Sequence, residues 1–208
     1  QQWVADLECG RLPADQWPEL HGEDVDIVVA SSRYEQIDNL CRQVIIRPGS
    51  ASISTTTQYA SSGGVWNDNQ FTMTGGTIGD PTNPNDASSV YNTSSQRVIL
   101  TICDNAKIYT NVTNVGILNA DGGEIAGTMT NDTNRYGTGT ITGSEGAAGS
   151  TEFHGKVTNT GTIRKGTFKN EVINESSGTI NGGTFTGAIT NNDGTVLDGD
   201  FSGATLNG

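Results

Sequence analysis

The chain has 208 residues, 28 of them glycine, with abundant Thr and Asn, only 16% charged residues and a formal net charge of −12. With no basic run, this balance argues against nucleic acid as a partner, because phosphate binding needs clustered Lys and Arg. No apolar stretch approaches the roughly 20 residues of a membrane-crossing helix, and apolar residues recur at fixed offsets, which a disordered chain does not show.

Residues 1 to 48 contain Trp3, Trp17, several carboxylates and no repeat. Asp26 to Ala30 reads as a buried strand. Ile37, Leu40, Cys41 and Val44 fall on one helical face behind the candidate caps Ser31 and Ser32, which predicts a short helix ending before Arg47-Pro-Gly. The segment is expected to be a small mixed cap that shields the first coil of a downstream repeat region, or a docking element. The N-terminus lacks a charged segment followed by an apolar run, so any export signal is expected to have been removed already, with Gln1 a processed end. Cys9, Cys41 and Cys103 leave one cysteine over in any pairing. A Cys9 to Cys41 disulfide would tie down the N-terminal segment; three buried free thiols are the alternative. There is no Cys-x-x-Cys, and only His21 and His154 are at hand, so no metal or cofactor is expected.

From residue 49 onward the texture changes. Met73-Thr-Gly-Gly-Thr-Ile78 is the first half of a motif seen in full at Gly161-Thr-Ile-Arg-Lys-Gly-Thr-Phe-Lys-Asn-Glu-Val-Ile-Asn174 and Gly178-Thr-Ile-Asn-Gly-Gly-Thr-Phe-Thr-Gly-Ala-Ile-Thr-Asn191. A third copy starts at Gly194 and places Val196, Phe201, Thr205 and Asn207 at the matching positions. The second half is traceable upstream at Phe153, Val157 and Asn159, at Ile125, Met129 and Asn131, and at Ile108, Val112 and Asn114. From Ile108 to Phe201 the first apolar position recurs after 17, 28, 15, 17 and 16 residues. The long step and the Pro- and Asn-rich stretch upstream read as loop insertions near 132–150 and 79–96.

A step of about 16 residues is too short for a helical hairpin, and this density of Gly would weaken any helix. Short strands joined by Gly or Asn corners fit instead. The expectation is an all-β fold, a single-stranded parallel β-solenoid over 49–208 with coils of about 16–17 residues. Alternation places Ile180, Phe185 and Ile189 inward and Thr179, Thr184 and Thr190 outward. Stacking then gives a core column of Phe153, Phe168, Phe185 and Phe201, and an internal or corner ladder of Asn159, Asn174, Asn191 and Asn207 whose amides bond from coil to coil. Sequons at Asn92, Asn111, Asn131 and Asn174 are expected by chance in such a composition.

The tandem G-T-I-x-G-G-T-F-x-G-x-V-x-N pattern resembles the repeats of bacterial cell-surface and autotransporter-like adhesins that form a right-handed β-helix. The resemblance covers about half the chain. It implies a secreted or cell-surface location in a bacterium and a structural or adhesive role, with a glycan or host surface as the kind of ligand. It carries no catalytic motif.

Other functions of such a scaffold require constellations that the sequence supplies only in part. Polysaccharide cleavage needs paired carboxylates, or acids with a nearby base. Asp193, Asp198 and Asp200 lie about one coil from Glu171 and Glu175, but Asp193 and Asp198 are at expected turn positions, and Arg164 and Lys165 are two coils away. Ice binding needs an unbroken outward Thr array; Thr130, Thr158 and Thr190 share a position that Ile173 and Leu206 interrupt. Self-assembly has a more specific basis. Gly208 comes directly after a completed repeat, so Phe201, Leu206, Asn207 and Gly208 are expected to form an uncovered end on which a further copy stacks head to tail into a fibre.

Overall fold

The computed structural model describes the strands at 20–29, 33–34, 36–46, 52–53 and 64–67 and, from residue 70 to 207, all positions except 80, 83–88 and 95–96, with side chains from Val65 on. The described residues hold β-strands and no helix. Twenty-four strands form one continuously paired 24-stranded sheet, and every pairing within it is parallel. The fold is a parallel β-solenoid.

Each coil has three faces. The first carries apolar-x-Asn strands, including Gly64–Asn67, Ser89–Asn92, Asn111–Asn114, Met129–Asn131, Val157–Asn159, Val172–Asn174 and Ala188–Asn191. The second stacks Gln70–Met73, Ile99–Ile102, Ile117–Ala120, Thr140–Thr142 and Thr162–Ile163. The third stacks Thr77–Ile78, Lys107–Ile108, Glu124–Ile125, Glu152–Phe153 and Thr167–Phe168. In the later coils one longer strand, Thr179–Phe185, serves the second and third faces together, pairing with Thr162–Ile163 and with Thr167–Phe168.

Alternation along each short strand sends one side chain in and the next out, because strand geometry has a period of two. The inward set is a continuous core: Phe71, Ile78, Leu100, Ile108, Leu118, Ile125, Ile141, Ile163 and Ile180 are all fully buried. Each such side chain contributes about 1.5–3 kcal/mol on burial. On the third face the column runs Ile78, Ile108, Ile125, Phe153, Phe168, Phe185 in direct register. The rings of Phe153, Phe168, Phe185 and Phe201 are stacked nearly parallel, with centroids 4.6, 4.7 and 5.0 Å apart. Those spacings match the roughly 4.8 Å between paired strands.

The first face carries the polar counterpart. Seven amides, from Asn67 through Asn92, Asn114, Asn131, Asn159 and Asn174 to Asn191, form a chain in which each Nδ2–H donates to the Oδ1 of the next at 2.7–2.8 Å. The second amide hydrogen goes to a backbone carbonyl, as from Asn131 to Gly139 and from Asn159 to Gly161. All seven except Asn191 are fully buried. Each amide inside the ladder therefore has its donors and acceptor filled, the condition under which a buried polar network stabilises rather than costs. Gly178 is explained by this ladder, because a Cβ there would collide with Asn174 Oδ1 and the Asn159 carbonyl. The ladder buries three of the four sequon asparagines, Asn92, Asn131 and Asn174.

Several expectations change. Residues 36–46 form the strand Gln36–Ile46 rather than a helix. It pairs in parallel with Leu20–Val29, with Gly64–Asn67 and with Gln70–Met73. The apolar spacing of Ile37, Leu40, Cys41 and Val44 suits a helix, but Ile37-Asp-Asn39 is also an apolar-x-Asn triplet, and Asn39 lies opposite Asn67. Cooperative pairing with a neighbouring coil decides between the two periods. Parallel strands thus reach back to Leu20, upstream of the 48/49 division. The stretches read as insertions also contain strands of the stack: Ser89–Asn92 within 79–96 and Thr140–Thr142 within 132–150. The latter divides its stretch into a hairpin, Thr133–Asn134 with Gly137–Thr138, and a separate loop from Gly143 to Ser150.

Asn207 does not join the ladder. Leu206 stands opposite Ile189 and Asn207 opposite Thr190, so Thr205 loses the inward position that the repeat assigns to it. A one-residue slip exchanges the two faces of a strand; here it turns the apolar Leu206 inward and leaves Asn207 exposed. Asn207, and not Leu206, is therefore the residue that comes after Thr190 on the outward column.

Candidate functional site

The strands of the coil at 195–207 are held on one side only. Thr195–Asp200 pairs with Thr179–Phe185 and Thr205–Asn207 with Ala188–Asn191, and among the described residues no strand pairs with their other edge. Val196 lies opposite Ile180 and Leu206 opposite Ile189, both at inward positions. Ile180 and Ile189 are 0% and 3% exposed, whereas Val196 and Leu206 are 43% and 68% exposed. Phe201 has one ring face on Phe185. Together with Ile189, Asn191 and Asn207, these side chains line a concavity of about 340 Å³. The result is a cross-section through the core. Of the residues expected at this end, Phe201, Leu206 and Asn207 are found there, while Gly208 lies outside the described residues.

The carboxylates considered for catalysis have local partners. Asp198 and Asp200 accept hydrogen bonds from the backbone N–H of Gly199 and Ser202, at 2.8 and 3.0 Å. The Ser202 contacts hold the Asp200 carboxyl below its usual range. Asp193 occupies a turn at φ 59°, and Glu175 accepts a bond from Asn192. His154 lies on the surface, 3.0 Å from Glu152, and Lys156 pairs with Glu171.

Lys165 has a structural partner that sequence separation conceals. Its ammonium reaches Asp121 Oδ1 at 3.0 Å and the Ala147 carbonyl at 3.2 Å. The Asp121 side chain is only 7% exposed and also accepts from the Ser144 backbone N–H. This pair ties the loop from Gly143 to Ser150 to the wall of the solenoid. Cys103 is a free thiol bonded to the Met73 carbonyl at 3.4 Å; burial first, then Asp104 and Asp121, push its pKa up. Cys9 lies outside the described residues, as does the Cys41 side chain.

No helix among the described residues is long and apolar enough to cross a membrane. A scan of family models finds no match to the chain, and searches of curated proteins and of solved structures find no significant match either.

Sequence reasoning missed the upstream ladder members Asn67 and Asn92. Their signal was present as Val65-Trp-Asn67 and Val90-Tyr-Asn92, the same apolar-x-Asn triplet that marks the later coils.

Proposed function

We propose that this chain is a structural or adhesive building block of an extracellular surface, and that its coil at 195–207 receives a further parallel coil from a second copy, stacking head to tail into a fibre. The observation that carries the reading is the exposure of Val196 and Leu206 in register with the buried Ile180 and Ile189 of the preceding coil. An apolar core face bordered by an unpaired parallel edge is a template for another strand of the same kind. A head-to-tail contact that does not close on itself generates a filament. The extracellular setting and the adhesive role rest on the resemblance of the repeats to surface adhesins.

Charge sets the conditions. Copies carrying −12 each repel one another, and salt shortens the range of that repulsion to about 10 Å at 0.1 M. Negative-stain electron microscopy and sedimentation of the purified chain should therefore show particles that lengthen with concentration, more so at about 0.15 M salt than at about 0.01 M. Leu206→Asp places a charge in the apolar face and should hold the particles at one length. Wild-type particles of a single length at high concentration and physiological salt would overturn the reading.

A further inference from the structure

The hairpin at 133–138 is the one antiparallel element among the described residues, and its contacts fall at the corner between the first and second faces, on Val115 and Thr160. Asn134 Oδ1 accepts from the backbone N–H of Tyr136 and of Gly137, at 2.8 and 3.2 Å, which fixes the turn. Downstream, Thr133 is bonded to Thr160 by both its backbone N–H and its hydroxyl, each at 2.8 Å. Upstream, Gly137 lies so close to Val115 that an added Cβ would come within 3.2 Å of the Val115 carbonyl oxygen. None of these contacts uses the Tyr136 side chain. Its ring is nonetheless held, with the Arg135 guanidinium 4.4 Å from its centroid, and it is 65% exposed.

Between hairpin and solenoid wall lies a groove of about 540 Å³, within the range of about 300–1,000 Å³ usual for small-ligand sites. Ile117 and the Tyr136 ring supply apolar surface, Thr138, Thr140 and Thr142 supply hydroxyls, and Arg164 supplies a cation. No carboxylate lines it. The neighbouring groove around Lys107 contains Asp104, Asp121, Glu124 and Glu152. The concavity at 189–207 also lacks a carboxylate, but it has no cation either; the groove at the hairpin combines the absence of acids with Arg164. Arg164 is exposed and forms no ion pair among the described residues, unlike Lys107, Lys156, Lys165 and Lys169.

This lining fits a six-membered ring with an apolar C–H face, a hydroxylated edge and one negative charge. A phosphate would meet one lining cation, Arg164, while Arg135 lies over the Tyr136 ring, and it would have no use for the aromatic face. We propose that this groove binds a carboxylated sugar residue: Tyr136 takes the C–H face of the pyranose, Thr138, Thr140 and Thr142 its hydroxyl edge, and Arg164 its carboxylate through a charge-assisted bond. The site deepens the adhesive side of the proposed function and is independent of stacking at the coil 195–207, none of whose residues lines the groove.

The test is calorimetric titration of the full chain, as a Leu206→Asp variant so that stacking does not interfere, with two carboxylated probes, trigalacturonate and 3′-sialyllactose. Their neutral counterparts, the methyl ester of the first and lactose, serve as controls. Binding of either acidic probe is expected, and which one binds tells a uronic from a sialic acid. Arg164→Gln should weaken it about tenfold or more, as loss of a charged hydrogen bond does, and Arg164→Lys should restore part of it. Tyr136→Ala should weaken it as well, with an unchanged far-UV circular dichroism spectrum confirming the fold. The proposal is overturned if neither acid binds, if the neutral counterparts bind equally, if a glutamate-bearing peptide binds as tightly as the sugars, or if Arg164→Gln has no effect. Failure here leaves fibre formation intact, and fibres that do not form leave this site intact.

Discussion

The coil at 178–191 and the coil at 194–207 are built from nearly the same repeat; apart from the one-residue slip at 205–207, they differ in that, among the described residues, the first is paired on both sides and the second on one. Ile180, Phe185 and Ile189 are buried, while Val196 and Leu206, in register with the first and last of them, stand open to solvent. An inward direction is a property of the strand; burial is a property of the stack. In a solenoid, each coil supplies half of its neighbour's core, so the stability of a coil resides largely in its interfaces.

The largest effect that would test this contrast is truncation of the aromatic column at its middle and at its end. Phe168→Ala removes a ring stacked between two others and leaves a cavity closed on both sides, so it should cost about 3–5 kcal/mol. Phe201→Ala removes a ring stacked on one side only and should cost about 1–2 kcal/mol. Urea unfolding of the two variants checks the ranking, and equal costs would remove the distinction between coils paired on both sides and a coil paired on one.

The amide ladder gives the second comparison. Asn159→Ala strands the Asn131 donor and the Asn174 acceptor in a dry interior, with an expected loss of about 2–4 kcal/mol. Asn191→Ala affects one ladder partner, Asn174, and the Gly194 carbonyl, at a position where Asn191 itself is already half-buried, and should cost about 1 kcal/mol. Comparing thermal midpoints measures the gap.

The smallest expected effect is that of pH on the coil at 194–207. The folded pKa of Asp200 lies below its ordinary value, so its contribution to stability is present above the unfolded pKa of about 3.9 and disappears as pH falls through the folded one. Asp200→Asn should therefore melt slightly below the wild type at neutral pH and converge with it as pH falls below the ordinary aspartate range. A difference that persists in acid would assign the effect to something other than the charge.

The recurrence of apolar-x-Asn triplets and Thr-Phe pairs made the repeating coil, the Phe column and most of the amide ladder legible, because a strand's period of two and a coil's fixed length convert spacing directly into position. Long separations concealed the rest. Asn67 and Asn92 are 25 residues apart, far from the regular step, and the bond between them follows from the parallel pairing of Gly64–Asn67 with Ser89–Asn92. The Lys165 to Asp121 pair spans 44 residues.

By itself the sequence determined the repeat, the all-β class and which side chains alternate, since these arise from local chemistry. The tertiary structure decided three further matters: that residues 36–46 are strand, that the last strand slips so that Leu206 rather than Thr205 faces inward, and that a hairpin sets Tyr136 and Arg164 on one groove. Each depends on what a neighbouring coil offers as a partner, and that energy is absent from any single segment of chain.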